Sequence, residues 1–449
     1  MKSIWNLVTV AEIAAPSRNA IAMGPFGSRI KTENFVDHGV PVIRGVNLNA
    51  NRFRDENFVY LTEEKADELK ASNAFYGDLV FTHRGTIGQV AIIPYNATYP
   101  RYVVSQSQMK FSIDKSKADQ YFIFYFFRSS VGQYELLKNT SSTGVPAIAQ
   151  PSTSLKKIEI PLPPLPNQRR IAAILGALDD KIELNRRMNQ TLEEMAQAIF
   201  KSWFIDFDGH TDLVDSELGP IPRGWEFTTI GNIIELAYGK SLAKKVRIEG
   251  PYPVYGSGGI NGYHFKAIVE GPGIIIGRKG TVGSVYWEDR NFYPIDTTFY
   301  VKLKDENVSL HWILYNLINM DIQRLGADSA VPGVNRNTIY AQVWCLPPKS
   351  RIQKFENIVS PLMRKLYANR EESKILAELR DTLLPKLISD ELDVSDIDIE
   401  LPDHVEEQNA HELNTHSVCA AQRLWALFVH KTHLSHLSKW RRYCVIVKI

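Results

Sequence analysis

Two stretches of the chain place apolar residues at alternating intervals of three and four. In the first, Ile171, Leu175, Leu178, Ile182, Leu192, Ala196, Ile199 and Trp203 share one stripe. In the second, Phe355, Val359, Leu362, Leu366, Leu376, Leu383 and Leu387 do the same. Spacing of this kind, held over about five heptads, predicts two long helices that pair as a coiled coil. Both stripes are interrupted at the same point by polar residues, Asn185 and Asn189 in the first and Asn369 and Ser373 in the second. An amide in an apolar seam costs stability but selects register and partner number, because opposite Leu it goes unsatisfied. With the helices antiparallel, the two polar pairs meet at the centre of the seam. The alternative is that they face solvent where the helices pack loosely.

The remaining sequence reads mostly as β. "GDLVFTHRGTIGQVAII" (77–93) and "GPGIIIGRKGTVGSVYW" (271–287) are short β-branched runs broken by glycine turns. "QYFIFYFFRSS" (120–130) and "LHWILYNLIN" (310–319) read as buried helices. These pairings are part of a larger repeat. "LPPLPNQRRIAAIL" from Leu162 is echoed 184 residues on by "LPPKSRIQKFENIV" from Leu346, and Asn185-Arg186 by Asn369-Arg370. "HRGTIGQV" (83–90) matches "RKGTVGSV" (278–285), "GVPAI" (144–148) matches "AVPGV" (330–334), and "WNLVTVAEI" from Trp5 matches "WEFTTIGNI" from Trp225. The chain is therefore two diverged copies of one module, a globular unit followed by a helix. The expected fold is α+β with an internal pseudo-two-fold repeat: two mostly-β domains at opposite ends of an antiparallel two-helix coiled coil. The expected divisions are a first domain at 1–160, a first helix at 161–205, a second domain at 206–345, a second helix at 346–388 and a tail at 389–449. A helix of 40 residues is roughly 60 Å long. Two similar domains at a fixed separation suit a target with two half-sites.

Composition narrows the class. At 449 residues more than one core is expected. No run approaches the roughly 18 apolar residues of a membrane span, and the N-terminus lacks the apolar core of a signal peptide. Three cysteines without paired spacing point to the cytoplasm. Net charge is only +2, but the charge is unevenly distributed. Residues 390–412 carry ten acids and no Lys or Arg, while 413–449 carry six Lys or Arg and no acid. The body left after setting 390–449 aside has 46 basic and 40 acidic residues, a balance compatible with a polyanionic partner. In the tail, His430, His433 and His436 have spacing that a metal tolerates, but without paired cysteines this is a weak signal, and no metal site is assigned. A poorly ordered extension is the expected reading of that tail.

Catalytic signatures are missing. Both Pro-Pro pairs follow Leu (Leu162 and Leu346), so neither forms the Asn/Asp-Pro-Pro-aromatic segment that holds a flipped adenine. "AYGKS" (237–241) ends like a phosphate loop, yet Ile234 stands where that loop requires Gly. No active site is expected in this chain. Groove recognition instead calls for Arg on guanine, Asn or Gln on adenine, and Lys or Ser on phosphate. Polar residues in glycine-punctuated loops supply the candidates: Arg44, Arg84 and Gln106 in the first copy, Lys240, Arg278, Lys279 and Arg336 in the second. For each the competing reading is a solvated surface charge. The matched Gly-Thr turns favour Arg84 and Lys279, each with a backbone amide to offer a phosphate.

Three segments together resemble the DNA-specificity subunit of type I restriction-modification enzymes. They are "GPFGSRIKTENFVDHGVPVIRG" (24–45), "PLPPLPNQRRIAAILGALDDKIELNRRMNQTLEEMAQAIFKSWFIDF" (161–207) and "YPVYGSGGINGY" (252–263). The resemblance covers residues 1 to about 388. It implies two target-recognition domains, each reading part of a split asymmetric site in double-stranded DNA. It also implies that the helices bind two methyltransferase subunits, and that motor-nuclease subunits join for restriction. S-adenosylmethionine, ATP and Mg would then belong to those partners, in an adenine-N6 methyltransferase and ATP-dependent endonuclease. The tail departs from the family pattern. The alternative function is a stand-alone double-domain DNA-binding protein or anti-restriction decoy, with no need of partner-binding helices.

Overall fold

The structure, a computed structural model, describes residues 5–141, 144–216, 219–326 and 333–395. The tail beyond 395, with its three spaced histidines, lies outside the described residues. Contacts divide the chain into two compact units, Met1–Glu183 with Ser373–Ile449, and Leu184–Glu372. Both long helices, Leu165–Phe204 and Lys349–Ile388, contribute one half to each unit.

The units share one β topology. In the first, an antiparallel sheet has the order Ile21–Met23, Gln108–Phe111, Leu79–Thr82, Val90–Ile92. Beside it in sequence runs a second sheet, Val59–Leu61, Val40–Ile43, Tyr102–Val104, Asn73–Ala74, with one parallel pair between its middle strands. The second unit repeats this as Ile234–Tyr238, Thr298–Leu303, Gly273–Gly277, Val285–Glu288. Its other sheet, Gly259–His264, Tyr252–Gly256, Tyr293–Pro294, again contains a parallel pair. A short ribbon closes each unit: Asn6–Thr9 pairs with Glu159–Leu162, and Glu226–Thr229 with Val343–Leu346.

The aromatic helices fall where the repeat predicts them. Gln120–Arg128 is capped by Asp119, whose carboxylate accepts from the Tyr121 and Phe122 amides. Leu310–Asn319 is capped by Ser309, which accepts from Trp312. Each cap satisfies amides that have no partner inside the helix. In each unit this helix is buried against the long-helix segments. Ile171, Leu175 and Leu178 share the first core with Leu383, Leu384 and Leu387. Ala196, Phe200 and Phe204 share the second with Ile352, Phe355 and Val359. Within the second unit the two segments run antiparallel, since Phe200 packs 5.9 Å from Phe355 while Asn185 reaches residues 369 and 372.

The two docks differ chemically. Asp179 of the first long helix is buried between Arg128 (2.5 Å) and Arg380 (2.6 Å), and accepts from the Tyr125 hydroxyl at 3.0 Å. At the matching place 184 residues on stands Met363, whose sulfur faces the Tyr315 hydroxyl at 3.5 Å. Gln168 likewise accepts from the Asp119 amide and donates to the Pro163 carbonyl, where the second copy has buried Ile352. The first dock is a buried ion-pair network centred on Asp179, whereas the second combines apolar packing with a bond of 2.8 Å between His311 Nδ1 and Glu356 Oε1.

The seam amides are buried, not solvated. Asn185 is 0% exposed and Asn369 is 1% exposed. The Asn369 amide donates to Asn189 Oδ1 at 2.9 Å. Asn185 donates to Glu372 Oε2 at 2.8 Å and towards the Asn369 carbonyl at 3.4 Å. Glu372, not singled out from the sequence, thus belongs to the polar group at this point.

Candidate nucleic-acid interface

In the first unit four loops converge because the strands that feed them pair in register. Thr82 pairs with Gln108, so the turn after the strand Leu79–Thr82 lies beside the turn that precedes Gln108–Phe111. The parallel pairing of Val40–Ile43 with Tyr102–Val104 brings Arg44 to the same edge, with the Ser105 amide donating to the Ile43 carbonyl at 2.9 Å. The fourth loop joins through a bridge between Arg84 and Ala147.

Within this edge, Arg84 and Gln106 are exposed. His83 is buried between their turns and meets the Gln106 carbonyl through Nε2 at 3.1 Å. Burial lowers the His83 pKa below its ordinary value, so the ring is neutral at pH 7. Arg44 is half-buried and partly committed to structure: its Nη2 donates to the Asn57 carbonyl at 3.0 Å, while Asn47 ties down the same loop. Gln89 and Gln108 stand just behind, each bonded to the Thr82 hydroxyl.

The second unit brings all four of its candidates together. Arg278 follows the strand Gly273–Gly277, and its guanidinium lies 5.1 Å from the centroid of the Tyr238 ring. Arg336, the first residue of the helix Arg336–Tyr340, lies 5.2 Å from the same ring. Lys279 and Lys240 are exposed beside them, Lys240 being two residues past Tyr238. Among the described residues none of these four cations has an ion-pair partner. Tyr238 is the residue that sequence reasoning missed. Its one signal was position, an aromatic at a strand end immediately before the glycine that turns the chain.

The two turns share the bonds that brace them. His83 donates to the Ser107 carbonyl and Arg278 to that of Thr297; Ile148 donates to His83, and Val334 to Arg278. Arg84 bridges Ala147 as Lys279 bridges Gly333. Gly85, Gly88, Gly280 and Gly283 all have positive φ, from 80° to 89°, which an L side chain rarely adopts. The Lys279 amide donates to the Thr297 carbonyl, and the Gly85 amide to that of Pro146.

Close approach also fixes the neighbouring glycines. A Cβ on Gly24 would lie 1.9 Å from the Ser105 carbonyl oxygen, and one on Gly239 would lie 2.1 Å from that of Ile295. Gly239→Ala should therefore force the backbone apart at the basic cluster and cost about 1–3 kcal/mol. Thermal unfolding of the variant checks this, and an unchanged Tm would refute it.

Two like domains with matching glycine-turned loops, each packed on segments of both long helices, define a duplicated module. Residues 25–194 and again 222–381 match the type I restriction modification DNA specificity domain, and the chain belongs to that family. It is 28% identical over 371 residues to the type I restriction enzyme MjaIX specificity subunit of Methanocaldococcus jannaschii, covering 75% of this chain and 82% of that protein. To the HindI specificity subunit of Haemophilus influenzae it is 24% identical, covering 69% and 87%. The fold is that of the type I restriction-modification S subunit from M. genitalium, with a TM-score of 0.58 at 17% identity over 86% of this chain and 96% of that one. The specificity subunit is the non-catalytic member of such systems. Among the described residues no group of His, Cys, Asp or Glu is placed to hold a metal, and no helix is long and apolar enough to cross a membrane.

Proposed function

We propose that each unit reads one part of a bipartite, asymmetric site in double-stranded DNA, while the long helices recruit two methyltransferase subunits. Motor-nuclease subunits complete the complex for restriction, and S-adenosylmethionine, ATP and Mg are bound by those partners. The observation that carries this reading is the recurrence of one glycine-turned cationic loop cluster at the same strand ends of both units. In this reading Arg44, Arg84 and Gln106 face one half-site, and Lys240, Arg278, Lys279 and Arg336 face the other.

Purified alone, the chain should neither methylate nor cut DNA. Combined with cognate methyltransferase subunits it should confer modification of one bipartite sequence, seen by methylation-site mapping. Exchanging residues 5–160 for those of another family member should alter one half of that sequence only. Methyl transfer by the isolated chain, or a change in both halves, would overturn the reading.

The buried amides Asn185 and Asn369, with half-buried Asn189, set helix register in this proposal, because a slipped pairing would leave them opposite apolar side chains. Replacing Asn185 and Asn369 together by Leu should loosen that register and populate slipped helices or dimers. Sedimentation velocity reads the outcome, and a single unchanged monomeric boundary counts against the register role.

A further inference from the structure

The two units are built alike at the basic turn but differ in chemistry. Gly24 donates to the Gln108 carbonyl as Gly239 donates to that of Thr298, so Met23 and Tyr238 occupy equivalent places. The shared bonds pair His83 with Arg278, and the matched segments "GVPAI" and "AVPGV" pair Gln150 with Arg336. Where the first unit has a thioether, a neutral imidazole and an amide, the second has two guanidiniums on one phenol ring.

That arrangement is incomplete on its own. Two cations held within 5.2 Å of one ring centroid repel each other, and no described carboxylate pairs with either. Arg278 is also tightly held. Its amide and carbonyl are both bonded, its guanidinium lies 5.1 Å from the Tyr238 ring and 5.8 Å from the Phe299 ring, and its Nε is buried without a hydrogen-bond partner among the described residues. A half-buried planar fork fixed in this way is pre-oriented for acceptors lying in one plane. Lys240 and Lys279, by contrast, are exposed ammonium groups on flexible stems. A phosphate satisfies either kind of cation. The O6 and N7 pair on the major-groove edge of guanine specifically rewards the fork.

We propose that Arg278, held on Tyr238 beside Arg336, reads a guanine in the half-site of the second unit, while Lys240 and Lys279 hold flanking phosphates. The inference rests on the DNA-reading function proposed above. It makes the two half-sites chemically unequal, since the first unit has no counterpart of this reader.

The test uses the chain assembled with its methyltransferase subunits. Methylation mapping first gives the site; a second half-site without any G·C pair overturns the proposal at once. Arg278→Ala should keep the first half-site and relax one G·C pair of the second, lowering discrimination there by roughly tenfold or more. Arg278→Lys should not restore it, because an ammonium is not a fork. Lys279→Ala should instead weaken all sequences alike and reduce the salt dependence of binding by about one phosphate contact. Wild-type protein on a duplex whose guanine lacks N7 should reproduce the Arg278→Ala loss without any change to the protein. Uniform weakening by Arg278→Ala with an unchanged site, or indifference to the missing N7, refutes base reading. If the wild-type complex modifies no bipartite site at all, it is the broader function that fails.

Discussion

Asp179→Asn should destabilise the first unit by about 3–5 kcal/mol, the cost typical of breaking a buried ion pair from one side. The carboxylate sits 6% exposed between Arg128 and Arg380, and both guanidiniums would lose their buried counter-charge. Urea unfolding followed by a probe in the first unit measures the loss. Met363→Leu, at the matching place in the second unit, should cost less than about 1.5 kcal/mol as a volume-conserving change. The acid side adds a second readout. Burial pushes the Asp179 pKa up, but Arg128 and then Arg380 outweigh it, and the carboxyl ends below its ordinary value. A depressed folded pKa contributes stability that is complete above the unfolded value of about 3.9 and disappears as pH falls through the folded value. The difference between wild type and Asp179→Asn should therefore be largest near neutrality and shrink below about pH 4. A constant difference across that range would show that the charge is not what the substitution removes.

Inserting four residues beside Asn189 should change the DNA spacing without changing either half-site. Four helical residues add roughly 6 Å, nearly two base pairs at about 3.4 Å each, and rotate the downstream part of the helix by only about 40°. If the helices set the distance between half-sites, the mapped site should gain one or two unread base pairs and keep both read sequences. An active insertion variant with the original spacing would mean that some other element sets the distance.

The range of the forces involved explains which features the sequence revealed and which it hid. The long helices were readable because a stripe such as Ile171, Leu175, Leu178 is a local pattern with one period. The duplication was readable because glycine turns tolerate few substitutes, so Gly85-Thr86 and Gly280-Thr281 stayed recognisable after divergence. The candidate loops were found as a set, yet their grouping depended on strand pairing between residues far apart in the chain, such as Ile276 with Phe299. Tyr238 escaped for this reason, since its significance is the two guanidiniums that arrive from residues 278 and 336. Asp179 escaped as well. A single carboxylate on a helix reads as solvated until Arg128 and Arg380 are seen around it.

The charged dock of the first unit also bears on ancestry. A duplicated module descends from a half-length chain that met its own copy, and in such a pair each helix would supply both partners of every contact. Two copies of the present first half would set Ala196 where Arg380 now stands, because those positions correspond across the repeat. Asp179 would then lose one of its two buried guanidiniums in both copies at once. The network around Asp179 therefore depends on a residue that the first half cannot supply from a copy of itself.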